Sequence, residues 1–217
     1  MTRKYFLIQL LLIVAAVVAV AVAFPHLPNT IAMHHWKSHS QHDRYISKWK
    51  FFLKYPGPPV MAGTMLFTYL VPWLSPKQFS VDSFRSTYLQ IMTLVLGLLA
   101  YAFAINLWMA FGHRVNGGRA IMGGCCLLIA LTGNVAGKIR RNFFIGVRTP
   151  WTIASERVWN ATHRFASKTF VAGGLLGLAF TIIGLHRWPL CALLVGGLAP
   201  VVYSLVFYKQ LERRGEL

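Results

Sequence analysis

Long apolar stretches alternate with short polar ones along this chain. The first apolar run, residues 5–24, holds a single polar side chain, Gln9. Further runs cover residues 60–74, 88–111, 120–136, 169–185 and 188–208. A helix needs about 20 predominantly apolar residues to cross about 30 Å of hydrocarbon. The pattern therefore predicts an all-α fold: a polytopic membrane helical bundle of about six transmembrane helices. The second, fourth and fifth runs are short for a crossing, and Pro72 interrupts the second. Their ends are expected to draw on adjoining loop residues. Arg3, Lys4 and Ala21-Val22-Ala23 also fit a signal peptide with its cleavage site. Pro25, close behind, favours an uncleaved first helix.

Two loops divide the organisation. Residues 1–75 form an N-terminal membrane region with the first two helices and a histidine-rich loop. Residues 76–217 form a second region with the other four helices and a long loop centred on 133–168. Gly133 and Gly137, Gly173 and Gly177, Gly123-Gly124 and Gly196-Gly197 predict close helix contacts, since small residues let backbones approach within lipid. Trp73, Trp108 and Trp188 fall near predicted ends, where indoles anchor at the interface.

Composition sharpens this. Hydrophobic residues make up 56% of the 217 positions and charged ones only 12%, against roughly 25% charge in a soluble domain. A soluble globular domain and a disordered chain are both excluded. Basic residues outnumber acidic ones 22 to 5, a net charge of +17. In a soluble chain that excess would suggest nucleic acid. Here the cations sit between apolar runs, so anionic lipid headgroups are the expected partners, with no direct nucleic-acid contact. Of the 22, 14 fall in segments 1–4, 75–87, 137–168 and 209–217, and 8 in the alternate segments. The positive-inside rule then puts both termini in the cytoplasm.

No Asp, Glu, Lys or Arg lies deep in a run, which argues against proton- or ion-coupled transport and against an intramembrane aspartyl protease. Asn106, inside the third run, is expected to make an interhelical hydrogen bond. Cys125, Cys126 and Cys191 lie in apolar runs and read as packing residues rather than a disulfide framework.

The loop 25–59 holds five of the eight histidines. Were its middle helical, His35, His39 and His42, with Asp43 beside them, could bind a divalent metal such as zinc or copper. A solvated basic loop lying on headgroups, or a pH-sensitive one, are the alternatives. No other cofactor is expected.

The loop 137–168 breaks at Thr149-Pro150-Trp151-Thr152, after which Thr152 or Ser155 can cap an amphipathic helix leading into the fifth run. Glu156, Trp159 and His163 share one face of that helix. Arg148, held by the following Thr-Pro, is expected to pair with Glu156, with Arg164 joining the network. Arg157 and Lys168 are expected to reach headgroups. A second reading makes Glu156 and His163 a polar pair at an inner cavity of an enzyme or small-molecule transporter; a nucleophile with a clear base is missing, and the chain is read as no enzyme.

The run GNVAGKIRRNFFIGVRTPWTIASERVWNATHRFASK, residues 133–168, resembles the signature of the SdpI family of bacterial membrane immunity proteins. Gly-Asn, Gly-Lys-Ile-Arg, Asn-Phe-Phe-Ile-Gly-Val-Arg-Thr-Pro-Trp-Thr, Ser-Glu-Arg-Val-Trp and Thr-His-Arg carry the likeness. Leu27-Pro28, Ile31, His35-Trp36, Asp43, Tyr45 and Lys48 resemble the companion domain that often precedes it, although a glycine expected after His-Trp is absent. The resemblance implies a multi-pass protein of the bacterial cytoplasmic membrane that protects against a secreted peptide toxin. From the family's best-known member it also implies a soluble cytoplasmic repressor held at the membrane. The residues it marks are Asn134, Lys138, Arg140, Asn142, Arg148, Thr149, Pro150, Trp151, Glu156, Trp159, His163 and Arg164.

Overall fold

The computed structural model describes residues 2–33, 44–54 and 57–217. Helix α1 spans Thr2–Ala23. A short antiparallel hairpin, β1 (Thr30–Met33) and β2 (Arg44–Ser47), follows, with Ile31 opposite Ile46. Then come α2 (Lys48–Lys54), α3 (Pro58–Leu74), α4 (Arg85–Ala110) and α5 (Gly117–Ala136). The chain ends with α6 (Pro150–Ala154), α7 (Glu156–Ile183) and α8 (Trp188–Arg214). The bundle is helical as expected. The hairpin was not foreseen; β-branched Thr30, Ile31 and Ile46 suit extended backbone. Ile31 turns inward onto Ala23, Leu27, Phe51 and Ala110, and that burial holds the pair on the bundle.

Five helices are long and apolar enough to cross a membrane: α1, α4, α5, α7 and α8. The remaining expected span, the second, is α3, which has 17 residues and carries Pro72. At 1.5 Å per residue it rises about 25 Å, short of the hydrocarbon thickness. The outward faces are apolar: Leu11, Val22, Ile182, Val195 and Val202 are all more than 60% exposed. A stripe of that kind is costly against water and suited to lipid.

Helix α7 is the centre of the second half, packed between α5 and α8. Its approach to α5 is backbone on backbone: a Cβ on Gly174 would lie 2.6 Å from the Ala130 nitrogen and the Cys126 oxygen. Against α8, a Cβ on Gly196 would lie 2.8 Å from the Thr169 oxygen. The predicted small-residue contacts at Gly133, Gly173, Gly177 and Gly196 are thus intramolecular ones, whereas Gly197 faces open space.

Polar side chains tie the spans together. Gln9, fully buried, donates from Nε2 to Thr93 Oγ1 on α4 (2.9 Å). Asn106 was expected to bridge helices; instead its Nδ2 donates to the Ala102 oxygen, four residues back on its own helix (2.7 Å). Buried in an apolar layer, its amide finds the nearest free lone pair on the preceding turn. At the far end of α7, Arg119 Nε donates to the Thr181 oxygen (2.7 Å) and Nη2 to that of Ile182. A cation there satisfies the carbonyls at the helix C-terminus.

The two ends of the chain share a face. Tyr5 packs with Val81, Phe84, Val135, Ile139 and Trp159, and Arg157 near the start of α7 pairs with Glu216 (2.6 Å). The start of α1, the start of α4, the end of α5, the start of α7 and the end of α8 therefore lie together, and the loop 137–155 is folded across them.

Candidate functional site

The loop 137–155 has almost no regular structure, so its backbone groups need side-chain partners. Asn142, fully buried, supplies four. Its Oδ1 accepts from the Phe144 and Ile145 amides (2.7 and 2.9 Å). Its Nδ2 donates to the carbonyls of Arg140 and Ile145 (2.8 and 3.1 Å). An amide is the side chain that can both accept and donate at this spacing.

His163 does the same from α7. Its Nε2 accepts from the Val147 amide (3.1 Å), which requires Nε2 to carry no proton. Nδ1 then donates to the Trp159 oxygen (2.9 Å). The ring is 1% exposed and stacked on Trp159, centroids 4.1 Å apart at 21°. Trp159 in turn donates from Nε1 to the Ile139 oxygen (2.8 Å). Between these two anchors Gly146 has φ +111, and a Cβ there would collide with His163 Nε2. Only glycine combines that backbone with that approach.

Helix α6 closes the loop. Thr149 caps it, with a reciprocal Thr149–Thr152 box and Pro150 in the first turn. Thr152 is fully buried and donates to the Val147 or Thr149 carbonyl, at 3.0 and 2.9 Å. Trp151 Nε1 reaches Ser204 Oγ on α8 (2.5 Å). Arg141 donates to the Ile153 oxygen (3.1 Å) and lies over the Phe79 ring. Ser155 then caps α7 through the Val158 amide. The expected amphipathic helix and the fifth span are one continuous helix, α7.

Three expectations are corrected. Arg148 and Glu156 form no ion pair: the Arg148 guanidinium donates to the Phe143 oxygen, and Glu156, exposed in the first turn of α7, has no ion pair among the described residues. Arg164 takes no part in an ion-pair network there either. The cation that does pair is Arg157, with Glu216, where headgroup contact alone was expected. The reason is the extra helix α6, which turns Arg148 back toward residue 143 and leaves Glu156 at an uncovered helix end. The Glu156–His163 polar site also fails. The two share a face but lie two turns, about 10 Å, apart along the helix. Both His163 nitrogens are already occupied inside the core.

The remaining marked residues divide by depth. Asn142, Trp159 and His163 are buried; Thr149 and Trp151 are half-buried; Asn134 and Pro150 are exposed. Lys138, Arg140 and Arg164 are exposed and open onto a cavity of about 700 Å³ beside the start of α4. His35, His39, His42 and Asp43 lie outside the described residues; among those described, no group of three His, Cys, Asp or Glu could hold a metal. Gly146, Ser204 and Arg119 were missed, and Thr152, offered with Ser155 as a cap for α7, instead closes the box of α6. A Thr-Pro pair ahead of a short apolar stretch is a helix-start signal and could have located the start of α6. The strain at Gly146 has no sequence signal beyond the glycine itself.

Comparison with known proteins agrees with this geography. Residues 138–208, which run from the loop through α6 and α7 into α8, match the SdpI/YfhL protein family. The Immunity protein SdpI of Bacillus subtilis (strain 168) is 30% identical over 119 residues, covering 53% of this chain. The match spans 58% of that relative's length. No solved structure matches. The likeness read from residues 133–168 is thus borne out, and the chain is a multi-helix membrane protein carrying an SdpI/YfhL-family segment at residues 138–208.

Proposed function

We propose that this protein is an immunity protein of the bacterial cytoplasmic membrane, protecting its cell from a secreted, membrane-active peptide. The observation that carries the reading is the coincidence of the family segment with the folded loop. The residues of the likeness are those that build the knot around Asn142, Trp159 and His163. The basic-residue count supports a cytoplasmic loop face. The hairpin and the opposite ends of α1, α4, α5, α7 and α8 then face outward and meet the peptide first. On this reading the cytoplasmic face of the folded loop is also the surface offered to a cytoplasmic repressor.

The test is expression in a host sensitive to such a peptide and lacking an immunity gene. Survival should rise when the wild-type chain is made and inserted. Unchanged killing at verified membrane abundance, across a panel of membrane-active peptides, would count against the proposal. Capture of a repressor by the membrane fraction only after peptide addition would support the finer claim.

A further inference from the structure

The cavity beside the start of α4 is lined by Lys138, Arg140, Arg164 and Arg85, with Asp82 as its only acid. Asp82 is already engaged: it lies 3.6 Å from Arg85 and accepts from Ser80 Oγ (3.0 Å). Lys138, Arg140 and Arg164 have no hydrogen-bonding or ion-pairing side-chain partner among the described residues. Three unpaired cations therefore converge on one concave space from two directions, the loop and α7. Neutral Asn160 lines the same wall.

Depth identifies what they face. The α4 residues of the lining end at Thr87, one position before the apolar run begins. The α5 side contributes Gly137 and Lys138, directly after Ala136 ends the helix. On α7, Arg164 sits about one and a half turns ahead of the apolar run and Asn160 about two and a half. All three sources border the apolar runs at one end of the bundle, the level at which lipid phosphates meet a spanning helix. A volume of about 700 Å³ exceeds what a bare phosphate fills and suits a glycerophosphate headgroup.

We propose that this cavity binds the phosphodiester headgroup of an anionic phospholipid, held by Lys138, Arg140 and Arg164. Arginine forks match two phosphate oxygens each, and lysine adds a point charge. The proposal is independent of the immunity reading.

The test uses the full chain purified in mild detergent, with bound lipid counted by native mass spectrometry after incubation with phosphatidylglycerol or phosphatidylcholine. Wild type should retain phosphatidylglycerol preferentially. The triple variant Lys138→Gln, Arg140→Gln, Arg164→Gln should lose that preference by about tenfold or more. A control removing three cations elsewhere on the same face, Arg3→Gln, Arg213→Gln, Arg214→Gln, should keep it. If the triple variant is not monodisperse, Arg140→Gln is compared with Arg140→Lys, and only the former should weaken retention. Equal loss in the control would show a general surface-charge effect and overturn the site. Displacement of the lipid by millimolar inorganic phosphate would assign the cavity to soluble phosphate and overturn the lipid assignment. Equal retention of both lipids by wild type would also overturn it.

Discussion

At the scale of single residues, the loop is held by a few groups whose loss leaves several backbone atoms unpaired. Asn142→Ala would strand two amides and two carbonyls in a buried site. Each unpaired buried group costs about 1–3 kcal/mol, so a loss of at least about 2 kcal/mol is expected in thermal unfolding of the purified protein. Gly146→Ala combines a positive φ of +111 with a collision against His163. Backbone strain of that kind costs about 1–3 kcal/mol, and membrane abundance should fall, while Gly112→Ala, with open space around it, should fall less. An abundance for Gly146→Ala equal to wild type would refute the knot. His163 was readable as a member of a marked run. Its role was not, because sequence shows a helical face without showing what covers it. Two turns separate an exposed Glu156 from a buried His163 on that face.

At the scale of elements, the apolar runs coincide to within a few residues with α1, α3, α4, α5, α7 and α8, except where a helix ran on past its apolar part. α7 begins thirteen residues before the apolar run it was expected to follow, because Ser155 caps it and Trp159 and His163 bury its first turns under the loop. The hairpin was not legible, being two four-residue strands fixed by tertiary contacts, and α6 is signalled only by the Thr-Pro at its start. The ion pairs were misplaced for the same reason, and the expected order of mutational effects changes. Arg157→Gln breaks the Arg157–Glu216 pair, but both partners are largely exposed, at 57% and 38%. Such pairs contribute about 0–1 kcal/mol, so abundance should stay near wild type. Glu156→Gln loses only a carboxylate at a helix N-terminus, about 0.3–1 kcal/mol, and should be equally mild. Helix packing gives a sharper contrast. Gly174→Ala drives a methyl into the Ala130 and Cys126 backbone, an overpacking of about 1–3 kcal/mol. Gly197→Ala meets nothing and should be silent. Unfolding midpoints of the two variants in one detergent check the difference.

At the scale of the whole molecule, the structure joins what the sequence could only count. Both termini and the loop share one face, and 14 basic residues in the corresponding segments against 8 in the others are the basis for the proposal that this face is cytoplasmic. A phosphatase active only outside the cytoplasm, fused after Leu217, should therefore be silent, and activity there would reverse the orientation. The family segment begins at Lys138 and ends within α8, so the likeness covers the knot, its covering helix and the partner that Trp151 reaches. The immunity reading stands or falls on growth. Its gene should be deleted in the native host, and the deletion strain grown in medium conditioned by the parent. The account predicts that the deletion strain is inhibited there, grows normally in fresh medium, and is rescued by the wild-type chain but not by Gly146→Ala. Equal growth of deletion and parent strains in conditioned medium that kills other sensitive cells would contradict it.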